Sequence, residues 1–426
     1  MKLLNSKIKV RTSTKWVITS IFLLGALSAG IFSCSDDDGT ELGADGVEAQ
    51  SAYFQLYYNE TPGGRITYVN VSESIPEQTD LSKSIELGGG IYATSFGEHI
   101  YAINGNASTI TKWQVDKSTL EPSVADIFSI ASTGAAAPLQ FGEFTTRTTV
   151  IASETQAFVA NLFDGIILEW NPSTMEIVKV HNVDPVNVAG EGYYIDIFRG
   201  KVLEGGKVAW AIDHYPPETC CQLNFEENLP VLAVLDPATG EFSYKSDSRM
   251  PYGGMLATYV DGVYMSSSRY VGMIDTYFNM DRDSSHYLLK VNSNGDFDPS
   301  FELNMSDLAD IGWGGNVFAV EGNQVLVDYF EFDTWATAFD DRWNFWGAVP
   351  ARIKLINSQT NAIEDFAGFE NYPGGAWPWS VVDGKQTYTG YKENGGDLLQ
   401  QNSFDDIVTL TVATDGVAIE GFERLW

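Results

Sequence analysis

The residues of this chain best suited to chemistry are aromatic and basic, and they cluster. Arg269, Tyr270 and Arg282 share one stretch; Trp335, Arg342, Trp343 and Trp346 share another. Tyr193, Trp313, Trp377 and Trp379 lie in or beside glycine-rich segments, and Arg147 and Lys392 stand near strand boundaries. A guanidinium stacks on a flat ring and forks onto paired oxygens, while an indole offers a broad apolar face. Together they suit a flat, anionic, aromatic ligand, so these residues form the candidate binding set. Each one alone also has an ordinary role: aromatics pack loops together, and arginines pair with nearby Asp.

Catalytic signals are poor by comparison. The chain has four His, at 99, 181, 214 and 286. None sits in a zinc, nucleophile-elbow or phosphate-loop pattern. Asp281-Arg282-Asp283 and Asn292–Asp298 match a calcium loop only in part. No catalytic residue and no protein-held metal are expected. Cys220 and Cys221 are adjacent, which if oxidised allows a strained vicinal disulfide or an intermolecular link, and if reduced leaves two loop thiols.

The elements that must position these residues announce themselves as a repeat. WNPSTME (Trp170–Glu176), LDPATGE (Leu235–Glu241) and VNSNGDF (Val291–Phe297) each stand between runs of apolar, β-branched residues. Related phrases put anchors at Ser72, Asp116, Asn171, Asp236, Asn292, Asn357 and Ala413, spaced 44–65 residues apart. An Asp or Asn anchor bonds the backbone two residues on and starts a turn. Pro172 and Pro237 supply φ near −65°, and Gly240, Gly295 and Gly416 supply positive φ. Each phrase therefore predicts a hairpin turn between a third and a fourth strand.

Upstream of five of the seven turns a glycine-rich lead introduces a first strand: Gly88–Tyr92, Gly190–Tyr194, Tyr252–Met255, Gly312–Gly315 and Pro373–Trp377. Four antiparallel strands at this period predict an all-β fold, a seven-bladed β-propeller over 51–426. A β-sandwich or a pair of β domains is the alternative. The first unit lacks an inner strand of its own, so both termini are expected at the closure, with the pairing left open. Long insertions between second and third strands are expected at His214–Leu229, Ser266–His286, Tyr329–Ala348 and Tyr391–Asp406. These b–c loops and the leads emerge on one face, which gathers the candidate binding set around one mouth.

Residues 1–33 carry Lys2, Lys7, Lys9, Arg11 and Lys15 before an apolar run, the pattern of a signal peptide. A small residue before Cys34 resembles the lipobox of bacterial lipoproteins, which makes Cys34 the expected lipidation site. Residues 34–50 then form a flexible acidic tether. The whole chain has a formal charge of −32, and losing five basic residues with the leader makes it −37. Such a surface repels nucleic acid and anionic headgroups.

Cys34-Ser35-Asp36-Asp37-Asp38 followed by these V-[DN]-x-x-T-[GN]-type repeats resembles a Bacteroidota family of outer-membrane lipoproteins encoded beside TonB-dependent receptors. The resemblance rests on architecture and repeat style over 34–426, and no binding residue transfers by motif. It implies a lipid-anchored protein on the outer membrane, facing outward. Its expected ligand is a ferric siderophore passed to a TonB-dependent receptor. Iron then enters only as part of that ligand, and no other cofactor is expected. A propeller enzyme of lactonase, lyase or quinone-dependent dehydrogenase type is an alternative, as is an adaptor that only binds the receptor.

Overall fold

Asp116, Asn171, Asp236, Asn292 and Asn357 do what their chemistry dictates. Asp116 Oδ1 accepts the amides of Ser118 and Thr119 at 2.8 and 2.9 Å. Asn171 Oδ1 accepts Ser173 and Thr174 at 2.8 and 3.2 Å, and Asp236 Oδ1 accepts Ala238 and Thr239 at 3.0 and 3.2 Å. Asn292 and Asn357 repeat the pattern. Gly240 and Gly295 hold φ of 77° and 82°, as a turn closing in the left-handed region requires.

In this computed structural model the described residues are 51–426 apart from 62–63, 90, 105–108, 131–147, 163, 187–193, 216–228, 251–252, 260, 268–286, 305–312 and 331–350. They belong to one compact unit, Val47–Trp426. The fold is all-β. In chain order the first strands are β1 (Tyr53–Thr61), β2 (Gly64–Ser72) and β3 (Ile85–Gly88). Five four-stranded antiparallel sheets follow. The first comprises β4 (Ile91–Phe96), β5 (His99–Asn104), β6 (Thr109–Val115) and β7 (Pro122–Ser129). The second comprises β8 (Thr149–Ser153), β9 (Gln156–Asn161), β10 (Ile166–Asn171) and β11 (Glu176–Asn182). The third comprises β12 (Tyr194–Val202), β13 (Val208–Tyr215), β14 (Leu232–Asp236) and β15 (Glu241–Lys245). The fourth comprises β16 (Gly253–Tyr259), β17 (Gly262–Ser267), β18 (Tyr287–Val291) and β19 (Phe297–Asn304). The fifth comprises β20 (Trp313–Glu321), β21 (Gln324–Phe330), β22 (Ala351–Asn357) and β23 (Ala362–Asp365). The chain ends with β24 (Ala376–Val382), β25 (Lys385–Lys392), β26 (Gly395–Ser403), β27 (Asp406–Thr411) and β28 (Val417–Arg424).

The last five strands and the first three share an eight-stranded sheet. β28 pairs antiparallel with β1, Tyr53 facing Arg424 and Asn59 facing Val417. A short parallel bridge, Gly395–Val417 and Gly396–Ala418, ties β28 to β26. The C-terminus therefore supplies the first strand that the N-terminal unit lacks.

Three sequence expectations are corrected here. Ser72 heads no hairpin turn: residues 73–84, with a 3-10 turn at Leu81–Lys83, separate β2 from β3. Ala413 does not head a hairpin turn. Residues 412–414 cross over from β27 to β28; Val412 bonds the backbone of Glu77 and Thr79, and the Thr414 amide donates to the Thr79 hydroxyl. The true turn between third and fourth strands lies at Phe404-Asp405, joining β26 to β27. Nor is Tyr391–Asp406 an insertion: Glu393-Asn394 alone separates β25 from β26, and the rest is strand.

Side chains alternate across each sheet and bury both faces between neighbours. Trp170 and Tyr101 join the β4–β7 sheet to the β8–β11 sheet. Trp210 and Phe158 join β8–β11 to β12–β15, and Leu256 with Leu232 joins β12–β15 to β16–β19. Tyr264 and Val325 continue the succession into β20–β23, and Phe318 and Tyr388 into β24–β27. Ile419 and Phe422 of β28 pack on Val382 and Leu398. On its other side, the β28–β1–β2–β3 half packs Phe54 and Leu56 against Ile100 of β5. Each fully buried aromatic is worth roughly 2–3 kcal/mol of transfer free energy.

The chain's scarce basic residues reinforce these seams. Lys112 Nζ donates to the carbonyls of Pro172 and Ser173 in the next sheet's anchor turn, at 3.0 and 3.2 Å. Burial pushes its pKa down. Lys245 pairs with Asp296 at 2.7 Å in the same sense two sheets further on. Tyr259 and Tyr388 donate to the carbonyls of Val317 and Phe318 on β20. Burial raises both phenols well above their ordinary value.

Candidate functional site

Antiparallel pairing gives every sheet two ends. At one end lie the anchor turns. At the other, first strands begin and second strands hand over to third; this is the lead end. β13 ends at Tyr215 before β14 starts at Leu232, β17 ends at Ser267 before β18 starts at Tyr287, and β21 ends at Phe330 before β22 starts at Ala351. Three of the four expected long connections thus depart from the lead end of their sheets.

Most of the sequence-derived set falls outside the described residues: Arg147, Tyr193, Arg269, Tyr270, Arg282, Trp335, Arg342, Trp343 and Trp346. So do Cys34, Cys220 and Cys221. The backbone of Trp313 opens β20 and pairs with Phe330. Trp377 sits at the lead end of β24 and packs against the Leu256–Met265 core of another sheet. Trp379 lies 6.4 Å from it, ring centre to ring centre, and donates its indole N–H to Thr389.

Lys392 ends β25 with its ammonium turned onto the chain itself. Its ammonium pairs with Asp397 at 2.6 Å and donates to the carbonyl of Ala413 at 3.0 Å. Asp397 also accepts the Ala413 amide at 2.7 Å. The pair clamps the crossover into β28, and the ammonium is already engaged there.

A constellation that sequence reasoning missed surrounds Arg65 at the lead end. Gly64, at φ 117°, turns the chain from β1 into β2 and places Arg65 opposite Glu60. Tyr58, two positions along β1, shares that side of the sheet. The Arg65 guanidinium lies over the Tyr58 ring, 5.0 Å from its centre. Tyr92, second in β4, meets Tyr58 edge to face at 5.3 Å. The glycine-rich lead before β4 makes this approach feasible, since a Cβ on Gly89 would stand 3.1 Å from the Arg65 carbonyl oxygen.

From β28, Glu420 Oε1 reaches Arg65 Nη2 at 3.3 Å. The same oxygen accepts the Tyr391 hydroxyl at 3.4 Å from the end of β25. The Arg65 side chain is 38% exposed and that of Glu420 7%. The site thus combines a half-open cation, three phenol rings and one buried carboxylate. The GGR of the β1–β2 turn was the available signal, since it puts an Arg at a second-to-third-strand connection.

His181 Nε2 lies 2.9 Å from Glu169, whose other oxygen accepts Gln156 Nε2 at 2.8 Å. Desolvation lowers the pKa of His99. Among the described residues no three His, Cys, Asp or Glu are grouped to hold a metal ion.

No family model and no curated protein matches the chain. Solved structures similar to it include a protein from Lactobacillus plantarum at 10% identity, covering 87% of this chain and 99% of that one with a TM-score of 0.47. Another is the Dos1 propeller at 13% identity, with coverages of 87% and 90% and a TM-score of 0.43. A third is apo AztD from Citrobacter koseri at 8% identity, with coverages of 88% and 98% and a TM-score of 0.39. At such identities and scores they assign no activity.

Proposed function

We propose that the chain is a seven-bladed β-propeller that binds a ferric siderophore at its lead end. In this reading β28 closes the ring by serving as the inner strand of the first blade. The observation that carries it is the cyclic succession of cores: each sheet packs on the next, and the last half-sheet packs on β28 and β1. Closure of this kind leaves only short edges and collects one class of connection around one rim. That rim is where the aromatic and basic candidates fall in sequence.

Anchoring through Cys34 to the outer membrane, facing outward, belongs to the same proposal, as does transfer to a TonB-dependent receptor. A rigid cup lowers the ordering cost of binding, and aromatic walls stack on catecholate or hydroxamate arms. The chain's formal charge of −32 repels a trianionic chelate at long range, which favours neutral or cationic siderophores. The test is tryptophan fluorescence across a panel of ferric catecholates and hydroxamates. Saturable quenching by a member of the panel is expected; a flat response to all of them sinks the proposal.

A further inference from the structure

We propose that the chain stands on its membrane with the anchor-turn end toward the lipid and the lead end pointing away. The place where the chain enters β1 and its own negative charge hold that pose. The inference rests on the reading of Cys34 as a lipid anchor and says which way an anchored body faces.

Hydrogen bonds fix the point of entry. β1 runs from Tyr53 to Thr61 and turns into β2 at Gly64, at the lead end. Its first residue, Tyr53, therefore lies at the opposite end, paired with Ser72 on one side and Arg424 on the other. Just before it, the Ala52 amide donates to the Trp426 carbonyl at 3.3 Å, and the Ala52 carbonyl accepts the Leu425 amide at 2.9 Å. Ala52 is fully buried, and the Ser51 hydroxyl donates to the Glu73 carbonyl at 3.1 Å. Residues 51 and 52 are thus clamped, and whatever precedes them joins the body at the anchor-turn end. β1 is nine residues long, so the two ends of its sheet stand about 30 Å apart.

Charge turns this attachment point into a pose. Without its leader the chain carries −37, and an anionic leaflet repels such a body. Glu154, Glu241, Glu321 and Asp405 are exposed in or beside the turns of the anchor-turn end itself. That end therefore stands off the lipid rather than docking on it. A body pushed away from a surface and held at one point swings that point toward the surface, which leaves the lead end outermost. Residues 34–50 reach at most about 60 Å when extended, about twice the height of the β1 sheet. This is length enough for the body to turn over, so a mouth that rests pointing outward can still be brought down to a receptor in the same membrane.

The lipidated full-length chain, with Cys220 and Cys221 replaced by Ser, is given one labelled thiol at either end of β26: Glu393→Cys at the lead end or Asp405→Cys at the anchor-turn end. Each change removes one negative charge, so the two proteins stay matched. They are reconstituted on vesicles of phosphatidylcholine and phosphatidylglycerol that carry a headgroup acceptor dye, and energy transfer to the bilayer is compared. Transfer from position 405 should exceed that from position 393 at least about twofold, since nine residues of strand separate the probes. The ratio should shrink toward one at about 1 M salt, where the screening length falls to about 3 Å. Equal transfer at low salt, greater transfer from position 393, or a ratio indifferent to salt overturns the proposal. Antibody access to a short epitope inserted at the same two turns repeats the comparison with Cys220 and Cys221 in place, so a poorly folded double-Ser background still leaves a result. Flotation separates this inference from the reading beneath it. If the wild type does not float with the vesicles, or Cys34→Ala floats equally well, the anchoring reading falls and takes the pose with it. If only the wild type floats and transfer is equal, the pose alone falls.

Discussion

Replacing Phe422 by Ala tests whether β28 closes the molecule. Phe422 is 1% exposed. Its ring stacks on Tyr53 of β1 at 5.8 Å with an interplanar angle of 8°. Val382 and Leu398 of the preceding strands share its core, and its carbonyl accepts the Ser380 hydroxyl. Truncating a fully buried Phe costs about 3–5 kcal/mol, the lost transfer energy plus the cavity left behind. Domains of this kind are stable by roughly 5–15 kcal/mol, so the variant should lose a large part of its margin. Urea unfolding of Val47–Trp426 followed by tryptophan fluorescence and far-UV circular dichroism measures this. Both midpoints should fall together with an unchanged slope, because opening one seam of a closed succession of cores exposes the rest. Val124→Ala is the control. Val124 is 57% exposed on β7, and its loss should cost no more than about 0.5 kcal/mol. A Phe422→Ala loss below about 1 kcal/mol, or two probes that separate, would falsify the closure argument.

Two further outcomes follow from the turns. At Gly295 a Cβ would meet Val234 at 2.6 Å with φ at 82°, so Gly295→Ala should cost about 2–4 kcal/mol by thermal or urea denaturation. At Gly240 φ is 77° and the nearest atom is the flexible end of Lys179 at 3.2 Å, so the same change should cost only about 1 kcal/mol. Equal losses at the two sites would contradict this. The Ser118 hydroxyl is the first cause that holds the Asp116 carboxyl below its usual 3.8. A depressed carboxylate stabilises the fold above its unfolded value and loses that contribution as pH falls through the folded one. Ser118→Ala should therefore raise the Asp116 pKa, read by carboxyl NMR titration, and soften the acid sensitivity below 3.8. An unmoved titration would show that the backbone amides of Ser118 and Thr119 do the work alone.

The local chemistry of this chain was legible in its order. An Asp or Asn anchor and a Ser or Thr shortly after it act within four residues, with a glycine closing the Asp236 and Asn292 turns and Leu120, Met175 and Asn361 taking positive φ in the others, so Asp116, Asn171, Asp236, Asn292 and Asn357 could each be read without a partner in view. Alternating strands of four per unit followed from the spacing between those turns. Pairing was another matter. Ala413 carries the same kind of phrase as the other anchors, yet it leads a crossover, because β28 finds its partner in β1 at the opposite end of the chain. Lys392 reads as a spare cation and is taken by Asp397 in the folded chain. Arg65, Tyr58, Tyr92 and Glu420 signal nothing by spacing. They become one site only when the first and last strands lie side by side, since cation–π and ion-pair contacts act over a few ångströms of space and are blind to separation along the sequence.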